Sequence, residues 1–204
     1  MSELVAAQLA AMSLLEAVAV ALAIAYLVLA IRESIWCWPC AFVSTALYIY
    51  LFGNVALYME SALNAFYLIM AVYGFMRWSR GAGESANVPV VVMSVRTHLA
   101  AAVIITILIM ASALLLRTYT DQALPFADAF TSWTAVWATW LTARKVLENW
   151  WYWLVIDVVS AAMYFDRGLP LTGLLFIGYL IMIPFGFVAW RRSWRTSGEI
   201  RLGA

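Results

Sequence analysis

Apolar residues are concentrated in seven long runs that shorter polar segments separate. The runs lie at residues 14–31, 35–52, 55–76, 99–118, 126–143, 149–165 and 170–190. About 20 apolar residues of α-helix are needed to cross the hydrocarbon core of a bilayer, so each run predicts a membrane-spanning helix. We number these predicted helices 1 to 7. The connections are short except for 79–98, which is predicted to be a loop, so consecutive helices are expected to pack as antiparallel neighbours.

The composition places the chain among integral membrane proteins. Apolar residues make up 66% of the 204 residues and charged residues 11%, and the mean hydropathy is +0.91. Soluble domains have about 45–50% apolar and about 25% charged residues, so lipid must cover most of this surface. The N-terminus carries Glu3 and no basic residue, unlike a secretory signal, so helix 1 is expected to be retained. The predicted fold class is all-α integral membrane, with residues 1–204 in a single membrane domain.

The basic residues are distributed unequally between the two sides that seven crossings define. Two of the twelve, Arg117 and Arg167, fall on one side. The other ten fall on the opposite side: Arg32, Arg77, Arg80, Arg96, Arg144, Lys145, Arg191, Arg192, Arg195 and Arg201. Because segments rich in Lys and Arg stay in the cytoplasm, the N-terminus is expected outside and the C-terminus inside.

Three groups of residues recur, in the same order, in the two halves of the chain. In the first half they are Glu33, Trp36 and Trp38, then Ser44 and Tyr48, then Tyr67, Gly74 and Trp78. In the second half they are Glu148, Trp151 and Trp153, then Ser160 and Tyr164, then Tyr179, Gly186 and Trp190. The offset is 115 residues for the first group, 116 for the second and 112 for the third. The falling offset predicts that the connection between helices 6 and 7 is four residues shorter than that between helices 2 and 3.

The recurring groups also predict how the two copies are oriented. Helix 2 matches helix 6 and helix 3 matches helix 7, and partners four crossings apart run in the same direction. The expected plan is two parallel three-helix repeats, at 10–80 and 125–194, joined by a linker helix at 97–118. Duplicated membrane helices are typical of transporters, whose substrate site lies between the repeats.

Several motifs resemble one family of transporters. They are Arg144-Lys-Val-Leu-Glu148-Asn-Trp150-Trp-Tyr-Trp153 followed by Asp157, Ser160, Tyr164 and Gly168, then Tyr73-Gly74 leading to Trp78, and Pro125-Phe-Ala-Asp128. The chain resembles the PnuC family of vitamin-precursor transporters over residues 30–190. The resemblance implies a fold like that of the SWEET sugar transporters, a homotrimer and a bacterial inner-membrane location.

The resemblance also implies a substrate. Members of the family usually carry nicotinamide riboside, with relatives for thiamine or nucleosides, and act as facilitators whose cargo a cytoplasmic kinase traps. Nicotinamide riboside members usually have Asn where this chain has Asp157, and often Gln where it has Asn64 and Thr139. These departures leave the implied fold unchanged and keep thiamine open beside nicotinamide riboside.

One face of helix 6 carries the most informative side chains. Trp150, Trp153, Asp157, Ser160 and Tyr164 follow a helical spacing that places them on the same side. A carboxylate near the bilayer centre costs about 2.5–3.5 kcal/mol on insertion scales, so Asp157 is expected to face a cavity or a partner. Aromatic faces also attract cations, which favours a cationic ligand such as nicotinamide riboside or thiamine. The alternative is a hydrogen bond from Asp157 to a hydroxyl of helix 7, on Thr172 or Tyr179.

Further polar and aromatic residues complete the candidate site. Asn64 can donate and accept hydrogen bonds, which suits an amide or a ribose hydroxyl, although a helix–helix hydrogen bond explains it equally well. Ser44 and Tyr48 are expected to be the equivalents of Ser160 and Tyr164, at a shared gate or packing seam. The candidate substrate-binding residues are Trp38, Ser44, Tyr48, Asn64, Tyr67, Trp137, Thr139, Trp150, Trp153, Asp157, Ser160, Tyr164 and Tyr179.

Other signals in the sequence are weaker. Trp137 shares a face of helix 5 with two further tryptophans, and this face lines the pore or meets lipid. Cys37 and Cys40 have redox-motif spacing but open a membrane helix, where two apolar core residues are the better interpretation. His98 has no partner at metal-ligand spacing and no glycine-rich nucleotide motif occurs. We therefore expect no metal, cofactor, nucleic-acid partner or enzymatic activity.

Three classes of function fit the sequence. The first is a facilitator that works by alternating access, for nicotinamide riboside or alternatively for thiamine. The second is a proton-coupled nucleoside-type transporter, with Glu16, Glu60, Asp128 and Asp157 as candidate proton carriers. The third is a membrane enzyme or receptor without transport.

Overall fold

Seven α-helices make up the part of the chain that the structure describes. The computed structural model describes residues 3, 13–54, 58–80, 88–119 and 124–202, with side chains at 3, 13–50, 63–80, 88–119 and 124–196. The helices are α1 (Leu14–Ile31), α2 (Cys37–Asn54), α3 (Tyr58–Ser79), α4 (Val95–Tyr119), α5 (Pro125–Ala143), α6 (Asn149–Asp166) and α7 (Pro170–Leu202). Within these ranges there is no strand beyond one isolated bridge, so the prediction of an all-α fold with seven helices is confirmed.

The helices begin at residues that suit a helix N-terminus. The Ser13 hydroxyl caps α1 by accepting a hydrogen bond from the Glu16 N–H at 3.2 Å. Pro125 opens α5 and Pro170 opens α7, at positions where a helix has no use for the missing N–H. These local signals help to fix where the chain enters α1, α5 and α7.

The helix bounds match some predicted runs and differ from others. α1 has the predicted bounds at both ends, whereas α4 begins at Val95 inside the predicted loop. α7 continues to Leu202, twelve residues beyond the predicted end at 190. An apolar run shows where the chain leaves the hydrocarbon, but the backbone hydrogen bonds of a helix continue through polar residues. The run therefore underestimates the length of a helix that extends into water.

Three of the described helices are long and apolar enough to cross a membrane by themselves. They are α1, α4 and the Pro170–Thr196 part of α7. α4 carries much exposed apolar surface, since Leu99, Val103 and Ile107 are 63%, 61% and 62% exposed. So much exposed apolar surface along one helix requires lipid around it. α4 also packs on α5 alone among the described helices, as an outer helix would.

The contacts between helices have a two-fold pattern. We call α1–α3 the first half and α5–α7 the second half. Within each half, consecutive helices pack together, and between the halves α1 packs on α7 while α3 packs on α5. Exchanging the halves maps each of these contacts onto another one. The pattern is compatible with two three-helix repeats and a linker, while the boundaries 10–80, 97–118 and 125–194 remain a prediction.

The register of this duplication differs from the predicted one. α2 and α6 begin at Cys37 and Asn149, and Gly74 of α3 and Gly186 of α7 make equivalent contacts with Trp38 and Trp150, so the offset is 112 residues in both pairs of helices. The connection between α6 and α7 is therefore not four residues shorter, and that prediction is wrong. Tryptophans at 150, 151 and 153 allow several alignments of the two halves. The alignment on Trp153 pairs α2 with the wrong turn of α6.

The constant offset changes which residues are equivalent. Trp38 packs on Gly74 and Trp150 packs on Gly186, at an offset of 112 in each pair. Trp38 is thus the counterpart of Trp150 rather than Trp153. At the same offset, Tyr48 corresponds to Ser160, so the predicted pairings of Ser44 with Ser160 and of Tyr48 with Tyr164 are also wrong.

Four buried tryptophans form a layer where the two halves meet. In each half two indoles pack edge to face, Trp38 on Trp78 and Trp150 on Trp190, with ring centroids 5.4 Å apart in both pairs. Trp78 and Trp190 then meet each other across the halves at 6.1 Å. We call these four residues the tryptophan layer. It lies at the end of the bundle that bears Arg32, Arg77, Arg144 and Arg191, which we call the basic end.

The segment 88–94 fastens the α5–α6 connection at the basic end. The Val91 N–H donates to the Lys145 carbonyl at 3.0 Å, and the Leu147 N–H donates to the Val91 carbonyl at 2.9 Å. The Met93 N–H donates to the Glu148 carboxylate at 3.2 Å. Part of the predicted loop 79–98 is therefore ordered against the second half, while residues 81–87 lie outside the described ranges.

Candidate functional site

A cavity lies between the two halves, next to the tryptophan layer. Its volume is about 180 Å³. α1 supplies one wall, α6 and α7 supply the opposite walls, and α5 contributes one hydroxyl. The lining residues are Ala23, Tyr26, Leu27, Ala30, Thr142, Asn149, Trp150, Trp153, Asp157, Phe176, Tyr179 and Ile183. Aromatic rings and a single carboxylate dominate this surface.

Asp157 is the charged group of the cavity. It lies in the middle of α6, only 4% exposed, and its carboxylate interacts electrostatically with the phenol groups of Tyr67 and Tyr179. Within the described ranges, a carboxylate lies within 4 Å of a basic side chain only in Glu33 with Lys145, at 2.8 Å, and in Glu148 with His98, at 3.9 Å. The carboxylate thus has no cationic side chain as a partner in the described part of the chain. A buried carboxylate of this kind is suited to a ligand that brings its own positive charge.

A hydrogen-bonded chain lies at the basic end of the cavity. The Trp153 indole N–H donates to the Thr142 hydroxyl at 3.2 Å, and that hydroxyl lies 3.2 Å from the Asn149 side-chain oxygen. The Asn149 amide donates to the Val146 carbonyl at 2.6 Å. These contacts fix the orientation of the Trp153 ring. They join α5 to α6 and hold one aromatic wall of the cavity in place.

Trp150 offers a donor that its surroundings leave unused. Its indole nitrogen is buried and, among the described residues, has no hydrogen-bond partner. Buried donors are nearly always paired, so the donor on this lining residue suits a ligand acceptor such as a carbonyl; the indole nitrogen of its counterpart Trp38, away from this cavity, is unpaired as well. The ring itself is held against Gly186 and Trp190.

The structure brings four of the predicted site residues to the cavity. Trp150, Trp153, Asp157 and Tyr179 line it directly. Tyr67 of α3 is close enough to interact electrostatically with Asp157, and also with Tyr26. Asp157 and Tyr179 both line the cavity and interact electrostatically, whereas the alternative of a hydrogen bond from Asp157 to Thr172 or Tyr179 stays a prediction.

Three predicted site residues have structural partners instead. Trp38 belongs to the tryptophan layer and is 1% exposed. The Ser44 hydroxyl donates to the Ala19 carbonyl at 2.8 Å, which ties α2 to α1. The Thr139 hydroxyl donates to the carbonyl one turn earlier in its own helix, at 2.7 Å. None of the three lines the cavity.

The remaining predicted residues do not line the cavity. The phenol of Tyr48 interacts electrostatically with Glu16, Tyr164 and Tyr179, and the Tyr164 ring stacks on Phe176 at 5.3 Å. This set leads from Glu16, at the end opposite to the basic end, toward Asp157. Of the others, Ser160 is buried, Asn64 is half-buried, and Trp137 stacks on its neighbour Trp140 at 4.9 Å.

Sequence reasoning missed several lining residues. Tyr26 carries the only polar group of α1 between Glu16 and Arg32, and this was a signal that it could face a site. Asn149 directly precedes the tryptophan run, and Thr142 lies seven residues before Asn149. Phe176 gave no signal, because one phenylalanine in an apolar helix is unremarkable.

The cavity is smaller than a usual ligand pocket. Its 180 Å³ compare with about 300–1,000 Å³ for sites that bind small molecules. Its walls come from both halves, so a movement of one half against the other would enlarge it. A flat ring between Tyr26, Trp153 and Phe176, near a carboxylate, is the ligand that this shape and charge favour.

Comparison with known proteins assigns the chain to a known group. The family model described as "Nicotinamide mononucleotide transporter" matches residues 13–192. The riboflavin/roseoflavin transporter RibM of Streptomyces davaonensis is 30% identical over 187 residues, which cover 87% of this chain and 85% of RibM. The crystal structure of the vitamin B3 transporter PnuC has a TM-score of 0.72 and 24% identity, covering 89% of this chain and 82% of PnuC. The fold is therefore that of PnuC.

Proposed function

The chain belongs to the nicotinamide mononucleotide transporter family of multi-pass membrane proteins, and we propose that it carries nicotinamide riboside by facilitated, alternating-access transport. The observation that carries this proposal is the Asp157 carboxylate, which faces an aromatic cavity without a cationic side chain beside it. Nicotinamide riboside has a flat pyridinium ring whose positive charge this carboxylate complements. Ring faces such as those of Tyr26 and Trp153 attract the same cation.

The direction of transport and the assembly belong to this proposal. The split of basic residues supports an N-terminus outside and the basic end in the cytoplasm of a bacterial inner membrane. Facilitated transport only equilibrates its substrate, so accumulation in the cell requires a cytoplasmic kinase that traps the cargo as its phosphate. The resemblance to the PnuC family supports a homotrimer.

Thiamine is the first alternative within the same chemistry. Its thiazolium ring is also a cation, and Asp157 and Thr139 stand where nicotinamide riboside carriers usually have amide side chains. Amides suit a carboxamide and ribose hydroxyls, whereas a carboxylate suits any cationic ring. Asn149 still provides an amide in the lining of the cavity, and this keeps nicotinamide riboside as the first candidate.

Riboflavin is a second candidate, because the relative RibM is a riboflavin transporter by name. A flavin is uncharged at neutral pH, and its imide N–H and ribityl hydroxyls could donate to Asp157. The unpaired Trp150 indole N–H suits a flavin carbonyl as well as a carboxamide. The larger three-ring system would require more opening of the cavity than either cation.

We expect purified protein in liposomes to equilibrate labelled nicotinamide riboside without any ion gradient or nucleotide. Uptake should stop when the inside and outside concentrations are equal, because no step is coupled to an energy source. Imposed pH and sodium gradients are the controls. Accumulation above equilibrium in a pH gradient would favour the proton-coupled alternative. Of its candidate proton carriers, the structure describes the side chains of Glu16, Asp128 and Asp157, while that of Glu60 lies outside the described residues.

We expect the phosphorylated forms of both vitamins to be rejected. Nicotinamide mononucleotide places a phosphate in a cavity whose one charged lining group is the Asp157 carboxylate. Opposed like charges cost several kcal/mol, which corresponds to roughly 100-fold weaker binding or more. The protein's affinity is measured by titration with each member of two matched pairs. These are nicotinamide riboside with its mononucleotide, and thiamine with its monophosphate. Equal affinity within the pair whose unphosphorylated member binds more tightly would contradict the assigned site.

A further inference from the structure

Two residues of opposite charge occupy equivalent positions in the two halves. Glu33 lies in the α1–α2 connection and Lys145 lies in the α5–α6 connection, at the constant offset of 112 residues. Both adopt the left-handed backbone conformation, with φ of 54° and 53°. In both places this residue ends a helix as a left-handed C-terminal cap, because the Ser34 N–H donates to the Leu29 carbonyl and the Val146 N–H to the Leu141 carbonyl, both at 2.9 Å. The same unusual geometry thus recurs at both positions.

The two side chains join the halves through an ion pair. The Lys145 ammonium lies 2.8 Å from a Glu33 carboxylate oxygen. Their side chains are only 1% and 13% exposed, so this pair is protected from water and salt. The Lys145 ammonium also lies 4.6 Å from the centre of the Trp78 ring. The pair therefore belongs to the tryptophan layer as well as to the two connections.

The tryptophan layer is held together by contacts that cross between the halves. The Trp78 indole of α3 donates to the Ala143 carbonyl of α5 at 3.1 Å. The Trp190 indole of α7 donates to the Ala30 carbonyl of α1 at 2.9 Å. Ala30 and Trp150 also line the cavity, so the layer closes the cavity toward the basic end.

We propose that the Glu33–Lys145 ion pair is the latch of a gate that the tryptophan layer forms at the basic end. The inference rests on the proposed transport function, because a gate presupposes that the cavity opens toward this side. Opening there has to separate α1 from α7 and α3 from α5, which breaks the ion pair and both cross-half indole hydrogen bonds. The pair exists only while the basic end is closed, and removing one partner leaves the other charge buried and uncompensated in that arrangement, so a single substitution should favour opening.

The structure provides a native reporter for this gate. Cys37 opens α2 beside Trp38, is fully buried, and is close enough to Lys145 to interact electrostatically. A maleimide that does not cross membranes can reach it only when the basic end opens. The half-buried Cys40 is removed by Cys40→Ser, so that labelling reports on one thiol.

We expect Cys37 to be labelled at least tenfold faster in Glu33→Gln and in Lys145→Glu than in the parent protein. The double variant Glu33→Lys with Lys145→Glu should restore the slow parental rate, because both positions share one backbone conformation and stand in equivalent surroundings. Glu148→Gln is the matched control. Its carboxylate lies at the same end but binds the 88–94 segment rather than the other half, so its rate should stay parental.

Two results would overturn the latch. One is a Glu33→Gln variant that elutes as a folded, monodisperse protein and whose Cys37 is labelled at the parental rate. The other is a double variant or a Glu148→Gln control that labels as fast as the single variants, since a general loosening of this end would then be the cause. Labelling requires no transported substrate, so this experiment can fail while the uptake experiment succeeds, and the reverse.

Discussion

Gly186→Ala is expected to destabilise the protein severely, by about 3 kcal/mol or more. A Cβ atom at Gly186 would lie 2.2 Å from the Trp150 ring, far inside van der Waals contact. The ring cannot retreat, because Trp150 is 2% exposed and packs edge to face against Trp190 at 5.4 Å. Overpacking a core generally costs 1–3 kcal/mol and occasionally more, and a rigid indole belongs to the costly cases.

Gly178→Ala, in the same helix, is the control for this prediction. No atom lies within 4 Å of a Cβ placed there, so the change should be neutral or slightly stabilising through the higher helix propensity of alanine. Gly74→Ala should behave like Gly186→Ala, because its Cβ would lie 2.3 Å from the Trp38 ring. The measurement is thermal unfolding of each purified variant in detergent. An unchanged Tm for Gly186→Ala would contradict the packing described.

Asp157→Asn is expected to weaken the binding of a cationic substrate by about 1–3 kcal/mol, or roughly 5- to 150-fold. The substitution keeps the size of the side chain and removes the charge that complements the ring. Its effect on riboflavin should be much smaller, because a flavin brings no positive charge and an amide oxygen can still accept its hydrogen bonds. The affinity of each ligand is measured by titration calorimetry on the purified variant.

Asp166→Asn is the matched control for the Asp157 variant. Asp166 is also a carboxylate of α6, but it lies at the exposed end of the helix and does not line the cavity. Its substitution should leave all affinities unchanged. If Asp157→Asn left the affinity of both nicotinamide riboside and thiamine unchanged, the carboxylate would have no role in binding a cation.

The helices could be predicted from sequence because one physical quantity determines them. The thickness of the hydrocarbon core sets the length of an apolar run, and α1 therefore has the predicted bounds at both ends. The far end of α7 could not be predicted this way, because Arg191 and Arg192 end the apolar run while the helix continues to Leu202. The register of the duplication was missed for a different reason. Tryptophans occur so densely near residue 150 that sequence similarity alone cannot choose between adjacent turns.

The candidate site was only partly accessible to sequence reasoning. Asp157 could be found because a carboxylate in a membrane helix is costly, whatever surrounds it. Tyr26 and Asn149 reach the cavity because α1 of one half packs near α6 and α7 of the other, and no local pattern encodes that packing. Ser44 looked similar to a ligand-binding residue, but its hydroxyl satisfies a backbone carbonyl of α1.

The most direct test of the account is a side-by-side titration of the unmodified protein with nicotinamide riboside, thiamine and riboflavin. A site that hydrogen-bonds its own ligand rejects an analogue without those groups by up to about 10⁴–10⁵-fold. We therefore expect one of the two cations to bind far more tightly than the other. Nicotinamide riboside is expected to have the highest affinity, and riboflavin a lower one. Riboflavin binding more tightly than both cations would contradict the central claim that the Asp157 cavity selects a cationic ring.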